Sequence, residues 1–140
     1  MTKVDNATAS LSIIAQDLSP DEITVLLKCV PTRSFRAGDV KSPRHPEQHW
    51  KHGGWLLETT LGRQANLEAQ IADLLGRVTK DVAVWQRITK RFSVRIFCGI
   101  FMTHENEGFG LTSDILAQLA SYGLSVDFDL YGAIQSDEDE

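Results

Sequence analysis

Very little in this sequence announces a chemistry. Cysteine occurs only twice, at Cys29 and Cys98, far apart and outside any Cys-x-x-Cys spacing. That pattern excludes a disulfide framework and a cysteine-rich zinc site; two isolated thiols among apolar neighbours read as buried small hydrophobes in a reducing compartment. No apolar run is longer than a few residues, which excludes a membrane-spanning helix. The opening MTKVDNATAS lacks the apolar stretch of a signal peptide, so a cytoplasmic location is expected. There is no Gly-x-Ser-x-Gly elbow, and neither cysteine has a histidine beside it in sequence. Gly108-Phe109-Gly110 has no third glycine and no Lys-Ser/Thr, and Glu105 and Glu107 would repel a phosphate. An excess of positive charge is missing too. The net charge is −5, from 14 basic and 19 acidic residues, and four of those acids are Asp137, Glu138, Asp139 and Glu140 at the very end. Without them the body is almost neutral, which argues against a dedicated nucleic-acid binder. The acidic run itself reads as a solvated tail.

What is present is an ordinary globular composition: 140 residues, 42% hydrophobic and 24% charged. One domain over residues 8–132 is expected, with flexible termini at 1–7 and 133–140. Ala9, Leu11 and Ile13 alternate with serines, as in a half-buried strand. Ser19-Pro20-Asp21-Glu22 then reads as an N-cap, a first-turn proline and a capping box. Ile23, Leu26, Leu27 and Val30 form the apolar face of that helix, which Pro31 ends. Residues 32–54 are the least regular, with a short strand expected around Ser34–Val40. Trp55–Thr60 reads as a strand, Asn66 as the cap of a helix through Leu67, Ile71, Leu74, Leu75 and Val78, and Val82, Trp85 and Ile88 as a further helix. Phe92–Met102 alternates on both faces with apolar residues, the mark of a central strand. Thr112 caps a last helix, with Ile115, Leu116 and Leu119 inward, a Leu111–Leu116 staple and Gly123 closing it. In the last strand Leu124, Val126, Phe128 and Leu130 share one face, and Asp127, Asp129 and Tyr131 the other.

The chain repeats itself. Leu18-Ser19-Pro20-Asp21 before one helix is echoed by Leu111-Thr112-Ser113-Asp114 before another. Two β-α-β units with an inserted strand and helix pair predict an α+β, two-layer ferredoxin-like arrangement, its helices on one face of a four- to five-stranded sheet. The run Asp17-Leu18-Ser19-Pro20-Asp21-Glu22-Ile23 with Leu26, Pro31-Thr32 and Arg36-Ala37-Gly38-Asp39 resembles the bacterial domain-of-unknown-function family numbered 4279. Trp55-Leu56-Leu57, Gly108-Phe109-Gly110-Leu111 and the ending through Phe128-Asp129-Leu130-Tyr131 extend the likeness over about residues 8–132. The resemblance implies a small bacterial cytoplasmic protein and brings no activity and no catalytic residue.

Three residue groups carry candidate chemistry. His45, His49 and His52 with Glu47 are suitable metal ligands by type. In His45-Pro46-Glu47-Gln48-His49, however, the glutamate is one place away from the metalloprotease order and Pro46 disturbs the turn, so no metal and no cofactor is expected. The 32–54 segment is cationic through Arg33, Arg36, Lys41, Arg44 and Lys51, and with Trp50 and Trp55 it has a hot-spot composition. Asp127 and Asp129, two apart on a strand, could work as an acid–base pair with His104. The preferred reading is a non-catalytic protein-interaction module, immunity-like in that it occupies a partner's site, binding through Arg33, Arg36, Arg44, Trp50 and Trp55. The alternative is a small metal-dependent hydrolase or ligand-binding enzyme using Asp127, Asp129 and His104. A protein partner is expected, no membrane and no nucleic acid; self-association through the second face of Phe92–Met102 is a further alternative.

Overall fold

The computed structural model describes residues 2–132. The order of elements is β1 (Thr2–Lys3), β2 (Ala7–Ala15), α1 (Pro20–Leu27), β3 (Arg33–Phe35), β4 (Val40–Ser42), β5 (His45–His49) and β6 (Gly53–Glu58). There follow α2 (Leu67–Arg77), α3 (Val82–Arg91), β7 (Val94–Phe101), β8 (Glu107–Gly108), α4 (Ser113–Tyr122) and β9 (Ser125–Tyr131). Five strands form the main sheet in the order β3-β6-β2-β7-β9, and two small two-stranded sheets join β1 to β8 and β4 to β5.

Alternation in the strands decides the layering. On β2 the residues Ala7, Ala9, Leu11 and Ile13 face the core, beside Trp55 and Leu57 of β6 and Val94, Ile96, Cys98 and Ile100 of β7. The same core takes Ile23 and Leu27 of α1, Leu67, Ile71, Leu74 and Leu75 of α2, Trp85 and Ile88 of α3, and Ile115, Leu119 and Tyr122 of α4. All four helices therefore cover one face of the sheet, as expected, and among the described residues no helix covers the other. That open face carries Arg33 and Phe35, Leu56, Ser10, Ser12 and Ile14, Arg95, Phe97, Gly99 and Phe101, and Asp127, Asp129 and Tyr131, as the strand registers require.

The helix ends follow local chemistry. Asn66 Oδ1 accepts from the Glu68 and Ala69 amides at 2.8 and 3.3 Å, and Asp81 Oδ1 from Ala83 at 3.0 Å. Thr112 caps α4 through the Ile115 amide, and Gly123 closes it at φ +74°, which a glycine adopts without a Cβ penalty. Ser19 holds the N-cap position of α1, but its side chain makes no capping bond. Glu22 does not complete a box there; it pairs with Arg91 of α3. This helix also ends earlier than Pro31 requires. Lys28 turns left-handed at φ 56°, leaving Val30 off the helix and 76% exposed. Leu116, expected inward, is exposed on α4.

The four strands β3-β6-β2-β7 are antiparallel neighbours throughout, and α4 with β9 is added at the β7 edge. β2 is antiparallel to both β6 and β7, and β3 is antiparallel to β6. The unit β2-α1-β3 is thus split, with β6 between its two parallel strands. The unit β7-α4-β9 is not split: β9 pairs directly and in parallel with β7 over seven consecutive residues and ends the sheet. The unit that interleaves with β2-α1-β3 is instead β6-α2-α3-β7, whose parallel strands flank β2, so the strand and helix pair expected as an insertion belong to it. Residues 1–7, expected as flexible, contain β1, which pairs with β8 at Thr2–Glu107 and Lys3–Gly108, and the start of β2. The segment 133–140 lies outside the described residues. In place of one strand over Ser34–Val40, there is the short edge strand β3 and then a separate hairpin, β4–β5.

Candidate functional site

The hairpin grows out of a turn whose residues explain one another. In Arg36-Ala37-Gly38-Asp39, the Asp39 carboxylate accepts from the Arg36 amide at 2.9 Å, the Asp39 amide donates back to the Arg36 carbonyl at 3.1 Å, and Gly38 sits at φ +95°. The turn then grips the far end of β5. The Gly38 amide donates to the Trp50 carbonyl and the Trp50 amide to the Asp39 carbonyl, both at 2.8 Å. Pro43 and Arg44 form the hairpin turn, with the Arg44 amide on Ser42 Oγ at 3.3 Å. Pro46 is tolerated inside β5 because this ribbon has a free outer side. All five residues of β5 are exposed.

Trp50 is held against the main sheet by stacking. Its ring lies on Phe35 of β3, with centroids 3.7 Å apart and planes 12° apart, and Lys41 Nζ stands 5.1 Å from the Trp50 centroid. Phe35 in turn rests on Gly54, where any Cβ would fall inside its ring. The layers Gly54, Phe35, Trp50 and Lys41 therefore fasten the hairpin to the open face. Arg33, Arg36 and Arg44 are exposed around it, and Arg36 reaches Asp21 at 2.6 Å.

Trp55 does not belong to this surface. It is 0% exposed, its side chain points into the core, and its indole N–H donates to Thr24 Oγ1 at 3.1 Å. The reason is parity: Trp55 pairs with Ile13 of β2 and so faces the helices, while Gly54 and Leu56 face the open side. The three histidines are spread along the ribbon. His45 lies 3.5 Å from Glu47, His49 Nδ1 is 2.8 Å from the Gly38 carbonyl, and His52 follows β5. Among the described residues no group of three or more His, Cys, Asp or Glu side chains is placed to hold a metal ion.

At the other end of the open face each acid has its own partner. Arg95 of β7 donates to Asp127 at 2.8 Å and packs over Phe97. The Tyr131 hydroxyl donates to Asp129 at 2.7 Å, and that hydrogen bond and charge raise the phenol above its ordinary pKa. Tyr131 also stacks on Phe101, whose centroid lies 4.8 Å from that of Tyr131 and 4.4 Å from the Arg63 guanidinium. His104 belongs to a different cluster, the loop closed by Glu107. Burial would raise that carboxyl, but the His104 and Thr103 amides, the His104 charge and the Thr103 hydroxyl outweigh it and hold it below the usual range. His104 Nδ1 lies 2.9 Å from Thr103 Oγ1 and 3.9 Å from Glu107. Asp127, Asp129 and His104 are thus engaged separately. Sequence reading missed Phe35, Phe101 and Arg63; the alternation of Phe97, Gly99 and Phe101 was the signal for Phe101, whereas Phe35 shows only once Gly54 is opposite it.

The family described as Domain of unknown function (DUF4279) matches residues 5–133. The chain belongs to the DUF4279 family. This match spans every main-sheet strand and all four helices, and both Arg36-Ala37-Gly38-Asp39 and Pro31-Thr32 prove to be architectural in this DUF4279 domain. The first is the turn that grips Trp50; in the second, Thr32 Oγ1 accepts the Glu58 amide at 2.8 Å. No curated protein and no solved structure matches the chain.

Proposed function

We propose that this DUF4279 domain is a non-catalytic protein-interaction module of the bacterial cytoplasm, immunity-like in that it occupies a site on its partner. Its contact surface is the β4–β5 hairpin with Arg33, Arg36, Arg44 and Trp50, continued onto the open face of the sheet. The observation that carries this reading is the aromatic stack of Trp50 on Phe35, rimmed by exposed arginines on a ribbon that the main core does not use. A half-buried tryptophan among arginines supplies apolar area and directed charge together, the composition in which interface energy concentrates. The ribbon is held by backbone bonds to the Gly38 turn, so little ordering cost falls on binding.

The test is co-purification at native expression, read by native mass spectrometry. The parent chain should carry a defined second protein. The double change Arg36→Glu with Trp50→Ala should abolish that mass, while Arg87→Glu, on the helical side, leaves it. Retention of the partner by the double variant, with its circular dichroism unchanged, would place the surface elsewhere.

A further inference from the structure

The two edges of the main sheet are unlike. β3 is three residues long, a common way of blunting an edge against unwanted pairing. β9 is seven residues long, keeps unbroken register with β7, and has no lysine, arginine, proline or bulge. Its outer side has no strand partner among the described residues. Exposure also rises along its helix-side face: Leu124 is buried, Val126 half-buried, Phe128 42% and Leu130 57% exposed. Phe109, from the loop before α4, packs on Phe128 with centroids 5.2 Å apart and is itself exposed. The opposite face of β9 carries Asp127, paired with Arg95 of β7, and Asp129, which accepts from Tyr131 and has no cationic partner among the described residues; β9 itself has no basic residue, and the chain beyond ends in four consecutive acids.

We infer that the outer edge of β9 accepts an extended segment of another protein in which lysine or arginine alternates with apolar residues. The outward backbone groups of Val126, Phe128 and Leu130 would extend the sheet by one strand, the apolar residues of the guest would meet Phe128, Leu130 and Phe109, and its cation would lie beside Asp129, the acid that no described cation already pairs. Charge selects this guest over a second copy. Antiparallel self-pairing centred on Asp127, Phe128 or Asp129 sets aspartate opposite aspartate, a destabilising arrangement. The edge is a different surface from the hairpin and stands whether or not that reading holds.

The test uses the full chain, a capped peptide of alternating lysine and valine, and its glutamate–valine counterpart. Amide exchange and chemical shifts are followed by NMR. The lysine peptide should slow exchange saturably at the outward amides of Val126, Phe128 and Leu130, the glutamate peptide should not, and Trp50→Ala should leave the effect intact. Asp129→Asn should weaken binding about fivefold, as expected when one favourable cross-strand charge pair is lost, and Asp129→Lys should weaken it further by adding a like-charge repulsion. Leu130→Pro, which removes a ladder donor, should reduce it further. Three results would overturn the inference: no protection of these outward amides at millimolar peptide, shifts confined to residues 133–140, or protection of Val126, Phe128 and Leu130 already present without peptide, whether in a monomer or in a dimer seen by sedimentation.

Discussion

Asp73 shows how much one side chain can organise. Sitting on α2, it accepts from Thr59 Oγ1, the Thr60 amide and Thr60 Oγ1 at 3.0 to 3.2 Å, and from Arg77 at 3.3 Å. It thereby ties the chain leaving β6 to the helix that follows. Burial works to raise its carboxyl, but those donors and the Arg77 charge prevail and hold it below the ordinary value. The carboxylate form is therefore favoured by folding. That stability is complete above the unfolded pKa of about 4 and fades as pH falls through the lower folded value. Asp73→Ala should cost about 1.5–3 kcal/mol at pH 7, the range for hydrogen bonds to a charged group. In denaturant titrations the gap between parent and variant should narrow below about pH 4. Neither the pairing nor its sign is visible in the sequence, where Asp73 is one acid among 19. Only the folded chain brings Thr59 and Thr60 to it.

At the scale of elements, two adjacent glycines serve opposite faces of one strand. Gly53 lies against the backbone carbonyl of Leu18, and Gly54 beneath the ring of Phe35. A methyl group at either place collides, but the neighbours differ in what they can yield. The Phe35 ring can swing away with loss of the Trp50 stack, whereas the Leu18 carbonyl belongs to the loop entering α1. Gly54→Ala should cost about 1–3 kcal/mol, as overpacking does. It should also change tryptophan fluorescence through Trp50. Gly53→Ala should cost more, with less spectral change; the order is checked by thermal and chemical unfolding of the two variants side by side. The helices and central strands were legible because their apolar periods are long. The β4–β5 hairpin was not, since His45-Pro46-Glu47-Gln48-His49 has no apolar alternation and is a strand only through its backbone bonds to β4. The expected capping box at Ser19 failed for a related reason: Glu22 finds Arg91, a residue far along the chain.

The whole molecule has one covered face and one open face. Cys98 lies at the centre of the covered one, on β7 between β2 and β9, and burial pushes its thiol up to about 12. A thiol reagent should therefore reach Cys98 only when the sheet opens globally. At reagent concentrations where labelling outruns refolding, its rate at pH 8 should equal the unfolding rate, and Cys29, half-buried beside α1, should react first. A Cys98 rate far above unfolding would mean that β9 or α4 detaches locally. The amino-acid order by itself determined the caps at Asn66, Thr112 and Gly123, most of the apolar faces, the central place of β7 and the gathering of helices on one side, because these rest on local periodicity and on residues a few places apart. Tertiary structure alone decided that β9 pairs directly with β7 instead of being separated from it by another strand, that Trp55 turns inward while Trp50 lies on Phe35, and that Asp127, Asp129 and His104 take separate partners. Those outcomes depend on strand register and on which edge a crossover reaches, and both are settled by packing between segments far apart in the chain.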